Sequence, residues 1–112
     1  MPAKGTQQIF AIRALETQRA TAAKPYLEFL RVPAMSAGLY VLAAGASDKQ
    51  KPHTEDEIYY VLRGKARMRV TDDEFQVASG QVIFVPAHAE HRFFDITEEL
   101  ALLVFFAPAE SG

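Results

Sequence analysis

Gly45-Ala46-Ser47-Asp48-Lys49-Gln50-Lys51-Pro52-His53-Thr54-Glu55-Asp56-Glu57-Ile58-Tyr59-Tyr60-Val61-Leu62-Arg63-Gly64 is the stretch that decides the fold, together with Gly80-Gln81-Val82-Ile83-Phe84-Val85-Pro86-Ala87-His88-Ala89-Glu90-His91-Arg92-Phe93-Phe94-Asp95. All three histidines of the chain, His53, His88 and His91, lie in these two blocks. Each block combines imidazole, carboxylate and turn glycines. Together they read as two edges of one metal site, brought together by the β-structure around them.

The strands can be read outward from there. Ile58 to Leu62 is rich in aromatic and β-branched residues, and Gly64 reads as a tight turn that ends it. Ala66, Met68 and Val70 alternate with Arg67 and Arg69, the pattern of a strand with one buried and one wet face. Asp72-Asp73 turns the chain into Glu74 to Val77, and Ser79-Gly80 is the next turn. Val82 to Val85, His91 to Phe94 and Leu100 to Phe106 are expected to be three further strands. Upstream, Tyr26 to Arg31 alternates as a strand broken by Pro33, and Gly38 to Ala44 follows as another. Ile9 to Ala23 lacks internal Gly and Pro and carries Ile12, Leu15 and Arg19 at i, i+3 and i+7, which predicts one short helix. Short strands separated by turn residues at short intervals indicate an all-β sandwich or barrel. The domain reading is residues 1–24 as an extension bearing the helix, of which 1–8 are polar and frayed, and 25–108 as the barrel.

Composition narrows the classes. A chain of 112 residues is one domain and long enough to bury a core without a disulfide. It has no cysteine, which removes thiolate metal sites and cysteine nucleophiles and fits a reducing, cytoplasmic setting. A net charge of −2 argues against nucleic acid, and Arg63, Lys65, Arg67 and Arg69 read as the solvated face of one strand. No apolar run is long enough for a membrane helix. On Glu57 to Leu62 both faces are largely apolar: Glu57, Tyr59 and Val61 on one, Ile58, Tyr60 and Leu62 on the other. Such a strand must be covered twice. One face lines the barrel; the other needs a helix, a second sheet or a second subunit, and the last of these, the expectation here, makes the chain a homodimer.

The site residues follow from burial and valence. Glu57 shares a face with Tyr59 and Val61, and a buried carboxylate must be paired, protonated or bound to a metal. His53 precedes it across a loop-to-strand junction, and His91 opens a strand after the rigid turn Pro86-Ala87-His88. Two neutral imidazoles and one carboxylate are a common set for Fe(II), Mn, Ni or Zn. Glu55 is an alternative ligand, because alternation places it on the same side as His53.

The spacing of these residues resembles the two motifs of the cupin superfamily. The first family motif runs glycine, five residues, His-any-His, three or four residues, glutamate, six residues, glycine; here Gly45, Lys51, Pro52, His53, Glu57 and Gly64 take those places. The second runs glycine, five residues, proline, one residue, glycine, two residues, histidine, three residues, asparagine; here Gly80, Pro86, His88, His91 and Asp95 do so. Lys51 thus stands where the first histidine would be, His88 in place of a glycine and Asp95 in place of an asparagine. The resemblance implies a cupin-type double-stranded β-helix, a jelly-roll barrel, with His53, Glu57 and His91 as ligands of one divalent transition metal per chain. It implies a metal-dependent enzyme on a small organic molecule, of oxygenase, isomerase or lyase type. The alternative is a non-catalytic module that binds a small ligand or metal. In this register Lys51 points into the pocket beside His53, as residues two apart in an extended segment share a face.

Overall fold

A computed structural model describes residues 7–111. Residues 1–6, most of the polar start expected to fray, lie outside the described residues. One helix, α1 (Ile12–Ala22), precedes six strands: β1 (Tyr26–Val32), β2 (Met35–Leu42), β3 (Asp56–Val70), β4 (Asp73–Ala78), β5 (Val82–Val85) and β6 (His91–Ala107).

The fold is built on the long antiparallel ribbon of β3 and β6, whose register runs from Asp56↔Ala107 to Val70↔His91. The first half of β3 also pairs β5, from Glu57↔Val85 to Tyr60↔Val82. Its second half pairs β4, from Lys65↔Ala78 to Val70↔Asp73. β2 pairs the last part of β6, and β1 lies outside β2. Every pairing is antiparallel. Three register shifts between Val61 and Arg67 bend the ribbon, as bulges do. The sheet thereby folds onto itself, and Tyr59, Val61, Met68, Phe93, Leu100 and Leu102 meet inside. This is an all-β barrel, as the strand pattern predicts, with one short helix.

Three expectations about strand limits give way. Gly64 is not a hairpin turn; β3 runs through it for 15 residues. At φ +107 it occupies a bulge where a Cβ would collide with the backbone oxygen of Glu99 on β6. The glycine is there for close approach between strands. Likewise His91 to Phe94 and Leu100 to Phe106 are parts of one 17-residue strand, kinked where Asp95 takes a left-handed φ of 48°. β2 starts at Met35, three residues before the expected Gly38, whose own missing side chain leaves room for the Tyr26 ring.

The helix is shorter than Ile9 to Ala23, since no side chain caps its start at Ala11. Leu15 is buried, and Ile12 packs with it on Leu39, Val41 and Ala101. Glu16 pairs with Arg63, which also reaches Glu99 at 2.8 Å. Thus α1 lies over β1 and β2, reaches Ala101 on β6 and Arg63 on β3, and leaves β5 uncovered. The basic row on β3 is solvated and ion-paired, with Lys65 on Glu98 and both Arg67 and Arg69 on Glu74.

Candidate metal centre

His53, Glu57 and His91 come from three places in the chain. His53 lies near the end of the irregular loop between β2 and β3, Glu57 is the second residue of β3, and His91 is the first of β6. β3 alternation turns Glu57 inward with Tyr59 and Val61, and all three are buried. One donor atom from each of His53, Glu57 and His91 lies within 4.8 Å of the others. His91 Nε2 stands 3.1 Å from Glu57 Oε1, and His53 Nε2 stands 4.0 Å from the same oxygen.

The far nitrogen of each ring is engaged elsewhere. His91 Nδ1 donates to the Ala89 carbonyl at 2.9 Å. His53 Nδ1 lies 3.2 Å from Glu110 Oε2. The Ala89 carbonyl keeps a proton on His91 Nδ1, so a metal-bound His91 would use Nε2. His53 turns its Nε2 toward the centre as well, within 3.4 Å of the Gln50 amide oxygen. Glu57 is 2% exposed, yet neither carboxylate oxygen has a hydrogen-bond partner, and neither does His91 Nε2. Leaving such atoms unsatisfied costs about 1–3 kcal/mol apiece, more for a charged group. Burial disfavours the His91 cation, but Glu57 and the Ala89 carbonyl outweigh it and raise its pKa above the ordinary histidine value. Either a proton or a metal ion relieves the clash of lone pairs. The donor set is thus one that fits a divalent transition metal.

The other candidates sort clearly. Lys51 is exposed and lines neither cavity near the centre, because the loop that carries it is irregular and its side chains do not alternate. Gln50, one residue earlier, turns inward instead. Its Oε1 accepts from Tyr59 Oη at 3.1 Å and lies 3.4 Å from His53 Nε2. Glu55 is buried away from the centre, where the Thr54 hydroxyl at 2.6 Å and the Ser111 hydroxyl at 2.7 Å hold its carboxyl below the usual range. It is not among the converging groups. His88 is exposed with φ 69°, which accounts for the glycine that the cupin motif has there.

Besides Gln50, two further polar neighbours of the centre escaped sequence reasoning. Asp48 is buried and accepts from Tyr40 Oη, Gln50 Nε2 and the Phe93 amide, at 2.8, 2.8 and 2.9 Å. Glu110 follows the barrel in a segment anchored by Arg31 on its carbonyl and by its amide on Ser36 Oγ. Burial pushes the Glu110 carboxyl up, against the pull of His53. The run of polar residues before Lys51 gave a faint signal for Asp48; nothing local signals Glu110.

Two cavities flank the centre. One, of about 210 Å³, is walled by Tyr26, Tyr40, Val104 and Phe106 and reaches His53, Glu57 and Glu110. Burial raises the phenol pKa of Tyr26 and Tyr40, so both stay protonated, and the Tyr26 hydroxyl has no partner. The other, of about 630 Å³, lies beside His91 with Arg69, Thr71, Asp72, Glu90 and Arg92 on its rim. Gln50 borders both.

Comparison with known proteins agrees with this architecture. Residues 38–107 match the family described as Cupin domain. An uncharacterized protein of Streptomyces coelicolor is 48% identical over 102 residues, which cover 91% of this chain and 97% of that protein. Among solved structures, TT1209 from Thermus thermophilus superposes with a TM-score of 0.70 at 27% identity, covering 92% of this chain and 99% of that one. KdgF from Halomonas sp. superposes with a TM-score of 0.68 at 19% identity, covering 74% and 76%.

Proposed function

This chain belongs to the cupin domain family, and from that premise we propose that it holds one divalent transition metal, Fe, Mn, Ni or Zn, through His53, Glu57 and His91. We propose further that it is a metal-dependent enzyme acting on a small organic molecule. The observation that carries the metal reading is the buried Glu57 carboxylate without a hydrogen-bond donor, facing two imidazoles whose other nitrogens are already engaged. A cation is the one partner that satisfies all of these acceptors at once.

A bound ion there would supply Lewis-acid or redox chemistry. The protein's own groups would do the rest. Ala89 and Glu110 keep the Nδ1 protons and so aim each Nε2. Phe93 and Phe106, packed edge-on against Tyr59 and His53, exclude water from one side. The 630 Å³ cleft lies in the usual volume range for small-molecule sites, whereas 210 Å³ falls below it. A substrate would therefore approach past His91. With Arg69 and Arg92 beside Asp72 and Glu90, that cleft suits a polar molecule better than a bare hydrocarbon. Oxygenation, isomerisation and lyase chemistry are all compatible with such a site.

The smallness of the inner cavity favours a second reading, a binding module that holds a metal or small ligand without turnover. Purified protein loaded with metal and screened for turnover with and without chelator separates the two. Chelator-sensitive conversion of a small substrate supports the enzyme; bound metal with no conversion across the screen favours the module. A homodimer in the cytoplasm completes the proposal: the sheet face that α1 leaves bare suits a second copy, and the lack of cysteine suits a reducing compartment.

A further inference from the structure

The cupin register puts a lysine where the first histidine of the family would stand, and that lysine is turned to solvent. The space beside His53 is filled by Gln50. We propose that Gln50 is a fourth protein ligand of the metal, through its amide oxygen Oε1, an assignment that rests on the metal reading above.

Chemistry fixes which end of the amide faces inward. Asp48 is buried, and its carboxylate already accepts from the Tyr40 hydroxyl and the Phe93 amide. An ionised carboxylate only accepts, so the Gln50 group 2.8 Å from Asp48 Oδ2 must be the NH₂. Oε1 then points the other way, toward Tyr59 and His53. Flipping the amide would set oxygen against carboxylate and lose the Tyr59 hydrogen bond at the same time.

What Oε1 meets is His53 Nε2, 3.4 Å away, and because an amide oxygen only accepts, that contact in the metal-free protein carries the Nε2 proton. A metal ion would take the place of that proton, with the other ring nitrogen, 3.2 Å from Glu110, holding the remaining one. Glu57 Oε1 lies 4.0 Å from that nitrogen and 3.1 Å from His91 Nε2. Two atoms bound to one ion at about 2.1 Å can be no more than roughly 4.2 Å apart. Each of these three separations meets that limit. Donor atoms converging at such distances suit a cation once the two imidazoles have given up their Nε2 protons to it. Gln50 makes the donor set two nitrogens and two oxygens, harder than the three-histidine set of metal-binding cupins and better suited to Mn(II) or Fe(II). Asp48 is then a positioning residue that acts through Gln50.

Co²⁺, a spectroscopic stand-in, tests this when titrated into the full chain and followed by calorimetry and visible absorption. The wild type is compared with Gln50→Ala, Gln50→Glu combined with Asp48→Asn, and His91→Ala, each first checked for an unchanged metal-free circular dichroism spectrum. The expected result is a fall in affinity of about tenfold or more for Gln50→Ala, with altered visible bands. Gln50→Glu, made together with Asp48→Asn so that two carboxylates do not meet at 2.8 Å, keeps an oxygen at the site and should restore affinity. If Gln50→Ala binds Co²⁺ as the wild type does, with the same bands, while His91→Ala loses it, the metal reading stands and Gln50 is no ligand. Weaker binding with unchanged bands and no restoration by the double variant also overturns the assignment, leaving Gln50 a structural role. If the wild type itself binds no Co²⁺, the metal reading fails and this inference falls with it.

Discussion

At the scale of single residues, the raised pKa of His91 links protons, metal and stability. In the metal-free protein the imidazolium pairs with Glu57, so His91 holds its proton more tightly folded than unfolded. A group raised in this way stabilises the fold fully below its unfolded pKa, about 6.5, and loses that contribution as pH rises through the folded value. A metal ligand must be neutral, so the ion competes with that proton. Metal-free protein, kept in chelator, should therefore lose thermal stability between about pH 6 and 8, and the stabilisation that added metal gives should grow over the same range. Melting curves at several pH values, with and without metal, check both slopes, and His91→Ala should flatten both. A metal-induced shift that is the same at pH 6 and 8 would show that His91 does not exchange a proton for the ion. The convergence of His53, Glu57 and His91 was legible because histidines are few here and the spacing of the three residues is distinctive. Gln50 was not. Its role depends on a loop whose side chains do not alternate, and the extended-chain assumption put Lys51 inside in its place.

At the scale of elements, the bent ribbon of β3 and β6 is what brings His91, at one end of β6, near Glu57, at the opposite end of the pairing. The bend is tightest around Gly64. A side chain there would meet the Glu99 oxygen and sit 2.6 Å from Leu100 Cα, in addition to straining a φ of +107°. Gly64→Ala should cost about 2–4 kcal/mol of stability, more than the same change in an unstrained strand. Urea unfolding measures it; a loss below about 1 kcal/mol would mean that β6 does not approach so closely. Sequence reading placed most strand residues correctly but cut both long strands in two. A glycine in a β-pattern shows that the backbone does something special, not whether it turns or yields to a neighbouring strand. That distinction is tertiary. The alternation of β3, with Glu57 inward, needed only the neighbouring residues and was readable.

At the scale of the whole molecule, one face remains uncovered. Ile58 and Tyr60 on β3 are each 39% exposed, and Val82 and Phe84 on β5 are 66% and 58% exposed. They face each other across the pairing, Ile58↔Phe84 and Tyr60↔Val82, so they form one apolar patch. Sequence reading predicted a two-sided apolar strand; it did not show that α1 lies over β1 and β2 and leaves this face bare. A two-fold contact between two such patches buries all four side chains in each copy. Light scattering on the eluting protein should give twice the 12.4 kDa chain mass, and Phe84→Asp should return it to one. A monomeric wild type at micromolar concentration would leave the patch for another occupant.

The central claim concerns where an ion sits, and an anomalous difference map from crystals grown with Mn²⁺, Zn²⁺ or Ni²⁺ tests it most directly. The account predicts one strong peak per chain, about 2.0–2.2 Å from His53 Nε2, His91 Nε2 and a Glu57 oxygen. A map with no peak among these three, or with peaks only on exposed carboxylates, would contradict it.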